Sequence, residues 1–391
     1  MHSPEELAQS IQRYEQYAQA DPGNVLLQIN LGDLHHEAGH FADAIACYER
    51  CLAREPENKT ARSRLASVMI SQHRFQEAEK TLRGVISGGQ PDPVLLHNLG
   101  LTLYYQTRWS DARQCFADAA ASGLNVPDNF AYLAKTLHHL GSMREAIDAC
   151  QRWVDLARDL SSKSYMALLH MDANDVATGR AFAVEVLREN PDDVDANVVA
   201  GAYSMERQAA DEARTYFETA LRLDRENGRA WLGLGLVHLY DREHDKAIDA
   251  LENAARIYPD NPGIVVTLGW AKLIAKDAIG AERVFEQALR VDRNFSESHG
   301  GLAAALAFQG KLDRAQGEIN LAKRLDPKSF GADIARTAVL AAQGSQQAAT
   351  DVFARMLERS PQSGVAPLIE QLKIYAARKP FGPVKPHAGK S

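Results

Sequence analysis

The chain has 391 residues, of which 45% are hydrophobic and 24% charged, and its formal net charge is −7 at pH 7. With a pI near 6.0, this balance argues against nucleic acid or an anionic membrane as the main partner. No apolar run reaches the roughly 18 residues of a membrane-spanning helix, and the N-terminus lacks the apolar segment of a signal peptide. We therefore expect a cytoplasmic protein without direct membrane insertion, although a signal removed earlier would leave the same sequence.

A single helix is predicted over residues 3–20, ahead of everything else. Ser3 can cap it, Pro4 suits its first turn, and Glu6 completes a capping box with Ser3. We interpret residues 1–24 as a capping half repeat at the N-terminal end of a stack of helices.

Small residues recur beyond this helix at a nearly constant spacing. Every step is 34 residues except one of 33 residues, which separates Ala146 from Gly179. The series is Ala44, Ala78, Ala112, Ala146, Gly179, Ala213, Ala247, Ala281, Ala315 and Ala349. The spacing predicts ten units of two helices over residues 25–363. Their expected starts are Val25, Lys59, Pro93, Pro127, Leu160, Val194, Gly228, Pro262, Ser296 and Phe330.

The seventh unit, from Gly228 to Asn261, shows the internal pattern of a unit. Its first helix carries at helical spacing Trp231, Leu234, Gly235 and His238. Its second helix carries Ala247, Leu251 and Ala254, and the unit closes at Pro259. This order resembles the tetratricopeptide repeat, with His238 in place of a Tyr and Leu251 in place of a Phe. The resemblance implies an all-α, right-handed α-solenoid (superhelix) of tandem helix-turn-helix repeats.

The fifth unit departs most from this pattern, and it also contains the 33-residue step. Lys163 stands in the Trp position, His170 in the Tyr position and Ala183 in the Phe position. Smaller and more polar core residues bury less apolar surface. Two interpretations follow, a hinge in the stack or a slightly bent but rigid stack.

The C-terminal part is predicted to contain a helix that caps the stack, followed by a tail that does not pack on it. Residues 364–378 are expected to form a capping helix, with Leu368, Leu372 and Tyr375 facing the stack. Residues 379–391 are basic and rich in proline, which is typical of a disordered tail or, alternatively, of a linear binding motif.

Several short sequence patterns resemble catalytic or metal-binding motifs but lack the features that such sites need. The segment from His36 to His40 matches the zinc-peptidase pattern H-E-x-x-H, which needs both histidines on one continuous helix. The repeat spacing puts a helix end there, and Gly39 would break the helix. The four cysteines lack the spacing of a metal site and are expected to be buried and reduced. We therefore expect no catalytic residues, no metal and no cofactor.

The resemblance implies where a partner would bind. First helices in this family line a concave groove with the face opposite their packing residues. Apolar stripes beyond the packing residues occupy that face in the third, seventh and eighth units. The candidate groove residues are His97, Leu101, Tyr104, Leu232, Leu236, Leu239, Val266, Trp270 and Leu273. Trp270 is expected to dominate binding, and the alternative is that the stripes only contact adjacent helices.

The sequence thus predicts a non-catalytic scaffold or adaptor that holds a peptide or helix of a partner protein. One alternative is an accessory subunit of a secretion, pilus or exopolysaccharide export machine. A less favoured alternative is a zinc-dependent hydrolase that uses the His36–His40 segment. The identity of the partner, the pathway and the oligomeric state do not follow from the sequence.

Overall fold

The computed structural model describes residues 3–86 and 92–358, and every regular element within these ranges is an α-helix. The first, α1 (Pro4–Ala20), begins with the predicted capping box. The Ser3 hydroxyl accepts the Glu6 backbone N–H at 3.2 Å, and the Glu6 carboxylate accepts the Ser3 N–H at 2.8 Å. Among the described helices, none combines the length and apolar character that a membrane crossing requires.

The chain divides into two compact units, with unit 1 ending at Arg158 and unit 2 starting at Asp159. Within its described residues, unit 1 contains α1 and four helical hairpins. Its hairpins are α2 (Val25–Glu37) with α3 (Phe41–Arg54), α4 (Lys59–Ser71) with α5 (Phe75–Ile86), α6 (Pro93–Tyr105) with α7 (Trp109–Ala121), and α8 (Pro127–His139) with α9 (Met143–Ala157).

Residues 159–358, the described part of unit 2, form six further hairpins. They are α10 (Leu160–Asp172) with α11 (Val176–Glu189), α12 (Val194–Glu206) with α13 (Ala210–Leu223), α14 (Gly228–Tyr240) with α15 (His244–Ile257), α16 (Pro262–Ile274) with α17 (Ala278–Val291), α18 (Ser296–Phe308) with α19 (Leu312–Leu325), and α20 (Phe330–Ala342) with α21 (Gln346–Glu358). In both units the first helices of the hairpins start at the residues that the small-residue spacing predicted. Each unit is therefore a stack of helical hairpins, which is the arrangement of an α-solenoid.

The small residues lie where the two helices of a hairpin meet. All ten, from Ala44 to Ala349, are buried, and eight of them are alanines that expose 0% of their surface. In several hairpins a large side chain of the second helix fills this contact: a Cβ on Gly32 of α2, for example, would lie 2.6 Å from the Tyr48 ring of α3. The core thus runs between the layer of first helices and the layer of second helices.

The turn inside each hairpin uses one residue in the left-handed region. These residues also follow the 34-residue spacing, with one step of 33: Gly39, His73, Thr107, Gly141, Asn174, Gln208, Arg242, Lys276, Gly310 and Gly344. At Gly39, φ is +74° and α2 has already ended at Glu37. The prediction that this glycine breaks the helix is confirmed.

The 33-residue step appears as a shortened connection before the fifth hairpin. Only Arg158 and Asp159 separate α9 from α10, and Arg158 adopts a left-handed conformation with φ +52°. In unit 2, four residues link each hairpin to the next. The division between the two units falls at this connection. A hinge in the fifth repeat remains a prediction.

No disulfide joins the four cysteines, all of which lie among the described residues, and Cys47, Cys51 and Cys150 are buried as expected, whereas Cys115 is only half-buried. Burial raises the pKa of the Cys150 thiol to about 12, which keeps it protonated and unreactive at neutral pH. The predicted capping helix at 364–378 and the tail at 379–391 lie outside the described residues.

Candidate functional site

Two positions on each first helix of unit 1 repeat from hairpin to hairpin and form what we call the first-helix columns. One column contains Asn30, Arg64, Asn98 and Tyr132, and the other contains Asp33, Ser67, Leu101 and Lys135. All of them except Asn98 keep some contact with solvent. Both columns are mainly polar, although a helical solenoid does not need polar residues there for its core.

Side chains of neighbouring first helices meet along these columns. Arg64 Nε on α4 lies 3.1 Å from Asp33 Oδ1 on α2. The Asn98 side-chain amide on α6 donates to the Ser67 hydroxyl on α4 at 3.3 Å. These contacts place the columns on one connected face that extends from α2 to α6.

Aromatic residues continue this face from α6 to α8. The Tyr105 and Tyr132 hydroxyls are 3.0 Å apart, and Lys135 Nζ lies 5.3 Å from the centre of the Tyr132 ring. Burial raises the pKa of Tyr132, with a contribution from its hydrogen bond to Tyr105. The phenol therefore stays neutral and can both donate and accept a hydrogen bond at physiological pH.

The three groove residues predicted in unit 1 occupy different environments. Leu101 belongs to the columns and is half-buried. His97 is half-buried beside them; its Nδ1 is 3.1 Å from the Asn129 side-chain oxygen, and burial lowers its pKa. Tyr104 is only 5% exposed and packs at ring-centroid distances of 5.0 Å from Trp109 and 5.3 Å from Tyr132. Tyr104 is therefore buried, because its ring fills an aromatic cluster, and its role in partner binding remains a prediction.

The six groove residues predicted in unit 2 do not form an exposed strip. Five of them are at most 7% exposed, namely Leu232, Leu236, Leu239, Val266 and Trp270, and Leu273 is partly buried. Their helices are enclosed, since α14 packs against α12, α13 and α15, and α16 packs against α15, α17 and α18. The extra apolar stripe is used for packing between helices, which corrects the expectation of exposure. A role for these residues in partner binding remains a prediction.

Trp270 shows this packing most clearly. It is 3% exposed, and its ring centre lies 5.8 Å from that of Phe285 and 6.4 Å from that of Phe330. The residue expected to lie off the packing face is thus part of the core of unit 2.

A buried charge cluster spans three first helices of unit 2. Arg229 on α14 donates to Asp172 on α10 at 2.6 Å, and the two side chains are only 7% and 5% exposed. Burial raises the pKa of Asp195 on α12 to about 6, although the Arg229 charge acts in the opposite direction. The cluster therefore places opposite charges on the first helices of three successive hairpins.

The H-E-x-x-H segment is divided between two helices. His36 lies in the last turn of α2, and its Nε2 is 3.0 Å from the Ser71 hydroxyl on α4. His40 is the residue before α3, and its ring lies 5.8 Å from that of His35 rather than beside His36. The paired-histidine geometry of a zinc peptidase therefore does not form here.

Arg64, Tyr132 and Lys135 are not among the predicted groove residues, although the sequence contains a signal for them. Each lies a multiple of 34 residues from Asn98 or Leu101. The predicted groove rested on apolar stripes, whereas these three residues are polar or amphipathic and repeat with the same spacing.

The fold is similar to that of solved helical-repeat structures. The human IFIT1 dimer with m7Gppp-AAAA is 16% identical, with 93% of this chain and 96% of that chain covered at a TM-score of 0.50. A tetratricopeptide repeat protein from Parabacteroides merdae is 15% identical, with 66% of this chain and 98% of that chain covered at a TM-score of 0.51. At these identities the similarity shows the fold alone.

Two curated proteins also match in sequence. Anaphase-promoting complex subunit 3 of Schizosaccharomyces pombe is 23% identical over 270 residues, which is 59% of this chain and 40% of that protein. The human protein O-mannosyl-transferase TMTC3 is 23% identical over 234 residues, which is 58% of this chain and 25% of that protein. The chain therefore spans well under half the length of either relative.

Family models described as tetratricopeptide repeat match four segments of the chain. They cover residues 35–99, 97–161, 166–224 and 205–262. Together these segments include more than half of the sequence, and they fall on the hairpins from α2 to α15. The chain belongs to the tetratricopeptide repeat family.

Proposed function

We propose that this chain is a non-catalytic scaffold that binds a peptide segment of a partner protein on the first-helix columns of unit 1. The observation that carries the proposal is the chemistry of the columns. They place Arg64, Tyr132 and Lys135 on a connected face that remains in contact with solvent. Donors, acceptors and aromatic rings at regular intervals suit the backbone and side chains of a bound polypeptide.

The net charge of −7 supports a protein partner over nucleic acid, because an acidic chain repels a phosphate backbone. Among the column residues, Asp33 is negative and both Arg64 and Lys135 are positive, so the columns have one positive charge in excess. We therefore propose that the peptide is neutral or carries a carboxylate that Lys135 can approach.

The experiment uses a displayed library of random peptides selected against the full chain. Dissociation constants of the selected peptides are then measured with the wild-type chain and with Tyr132→Ala and Lys135→Ala. We expect at least tenfold weaker binding for Tyr132→Ala, equivalent to about 1.4 kcal/mol or more. Each variant is used only below its own melting temperature.

Ile279→Ala is the matched control, because Ile279 is an exposed apolar residue on the second helix α17. It should leave peptide binding unchanged. Selected peptides that bind both column variants as tightly as the wild type would contradict the proposed site.

A further inference from the structure

Three side chains of types that can ligate a metal lie close together where α2 ends and α3 begins. His35 is in the last turn of α2, His40 precedes α3, and Asp43 is in the first turn of α3. One ligand atom from each lies within 4.8 Å of those of the other two. We infer that His35, His40 and Asp43 form a binding site for a transition-metal ion of the Zn²⁺ type, distinct from the His36–His40 pattern in the sequence.

The donor set fits such an ion. Two imidazole nitrogens and one carboxylate oxygen are ligands that Zn²⁺ takes at about 2.0–2.2 Å. Tetrahedral ligands at that distance are about 3.3 Å apart, so the three atoms need to approach one another by about 1.5 Å at most. His40 and Asp43 are exposed and can turn towards the ion, whereas His35 is 6% exposed and held in place by its surroundings.

His35 provides an independent indication of a ligand. Its Nδ1 is buried and has no hydrogen-bond partner among the residues that the structure describes. A buried polar atom without a partner is costly, and metal coordination would satisfy it. Its other nitrogen, Nε2, lies 3.9 Å from the Glu15 carboxylate on α1. At 3.9 Å this is an electrostatic contact and not a hydrogen bond, and a small approach of Glu15 would supply the hydrogen bond that usually orients a metal-bound histidine.

The remaining coordination position lies near a cleft. A cavity of about 580 Å³ is lined by Pro4, Leu7, Ala8, Ile11, Glu37, Ala38 and His40. Since His40 belongs to both the cleft and the metal ligands, an ion bound here lies at the edge of the cleft. Three protein ligands then leave a fourth position for water or for a polar group in the cleft.

Replacing His40 tests the site without removing a structural contact of the turn. His40 is exposed, and its side chain makes no capping hydrogen bond to α3. The purified full chain is stripped with a chelator and titrated with Zn²⁺ by calorimetry, and with Co²⁺ by visible absorption. We expect one ion per wild-type chain, with the absorption of four-coordinate Co²⁺.

The affinity for Zn²⁺ should fall in His40→Ala and in Asp43→Asn. The expected loss is larger than the roughly 10- to 100-fold that follows when a hydrogen-bond partner of a metal ligand is removed. His36→Ala is the matched control, because His36 belongs to the same sequence motif but contacts Ser71, and it should bind Zn²⁺ as the wild type does. No stoichiometric binding by the wild type would overturn the inference. So would a loss of binding in His36→Ala with normal binding in His40→Ala.

Discussion

The first helices of the two units carry different chemistry at the same two positions of the repeat. In unit 1 these positions are the polar and partly accessible columns. In unit 2 they are occupied by Tyr165, Leu168, Val199, Ala202, Gly233, Leu236, Thr267, Trp270, Gly301, Ala304, Ala335 and Ala338. All of these are buried except Ala202 and Ala338, which are partly buried. One helical framework thus supports a face that contacts solvent in unit 1 and a closed core in unit 2.

The size of the side chains accounts for part of this difference. At Gly301 of α18, a Cβ would lie 2.1 Å from the Phe285 ring of α17, so the helix can approach only because the side chain is absent. In unit 1 the corresponding residue is Tyr132, whose ring stacks at 5.9 Å on Phe116 of the preceding second helix and extends towards Tyr105. Small residues therefore allow the first helices of unit 2 to be enclosed, while large polar residues keep those of unit 1 accessible. Stability in unit 2 and binding in unit 1 should consequently respond to different substitutions.

The largest effect is expected from the buried charge cluster of unit 2. Arg229→Ala leaves the Asp172 carboxylate buried and also removes the cation near Asp195. Breaking a buried pair in this way costs about 3–5 kcal/mol, and two affected carboxylates favour the upper part of that range. Urea unfolding of the full chain measures the loss. Arg74→Ala in unit 1, which removes an exposed pair with Glu77, should leave the unfolding curve almost unchanged. Equal effects of the two substitutions would remove this distinction between the units.

Trp270→Ala tests whether unit 2 uses its stripe for packing or for binding. Because Trp270 is 3% exposed between Phe285 and Phe330, the truncation leaves a cavity and should cost about 3–4 kcal/mol of folding free energy. Selected peptides that bind the first-helix columns of unit 1 should bind the folded variant normally. Thermal melting and peptide titration are measured on the same sample. A normal melting temperature with lost binding would instead support the sequence-based assignment of Trp270 to the partner groove.

Gly300→Ala probes the close approach of α18 and α20. A Cβ at Gly300 would lie 2.7 Å from the Ala332 backbone nitrogen and 2.8 Å from the Gly331 carbonyl carbon. The helices would have to separate, which also weakens the hydrogen bonds of Glu297 to the N–H groups of Phe330 and Gly331. We expect a loss of about 1–3 kcal/mol in unfolding free energy.

Gly317→Ala on α19 is the control for this substitution, because nothing lies within 4 Å of its added Cβ. Alanine is the better helix former, so this change should stabilise the chain by up to about 1 kcal/mol. A stabilising Gly300→Ala would show that the two helices are not in close contact.

A further effect, which depends on pH, concerns Asp195 in unit 2. Burial raises the pKa of Asp195 from 3.8 to about 6 in the folded chain, so its carboxylate form opposes folding above pH 6. Asp195→Asn should therefore stabilise unit 2 at pH 7, by at most about 3 kcal/mol. The residue keeps some solvent contact, which reduces that figure. The difference from the wild type should disappear as pH falls from about 6 to about 4, and urea unfolding across this range measures it. A difference that persists at pH 4 would exclude the titration of Asp195 as its cause.

The sequence alone determined the architecture of this protein. Small residues every 34 positions identify the hairpins, because only a small side chain lets two helices of a hairpin approach, and the first helices start where that spacing predicted. The left-handed turn at Gly39 and the capping box of Ser3 and Glu6 were likewise readable, since each depends on residues close together in the chain.

Tertiary structure alone decided which apolar stripes are covered. An i, i+4, i+7 stripe identifies a face of a helix but not the number of neighbours around it, and α14 and α16 have neighbours on several sides. Burial of Leu232 and Trp270 and the pairing of Arg229 with Asp172 across 57 residues both depend on helices that the chain brings together only after it folds. The separation of His36 from His40 also depends on the folded structure. Where α2 ends, and how the turn then places α3, decides that His40 lies beside His35.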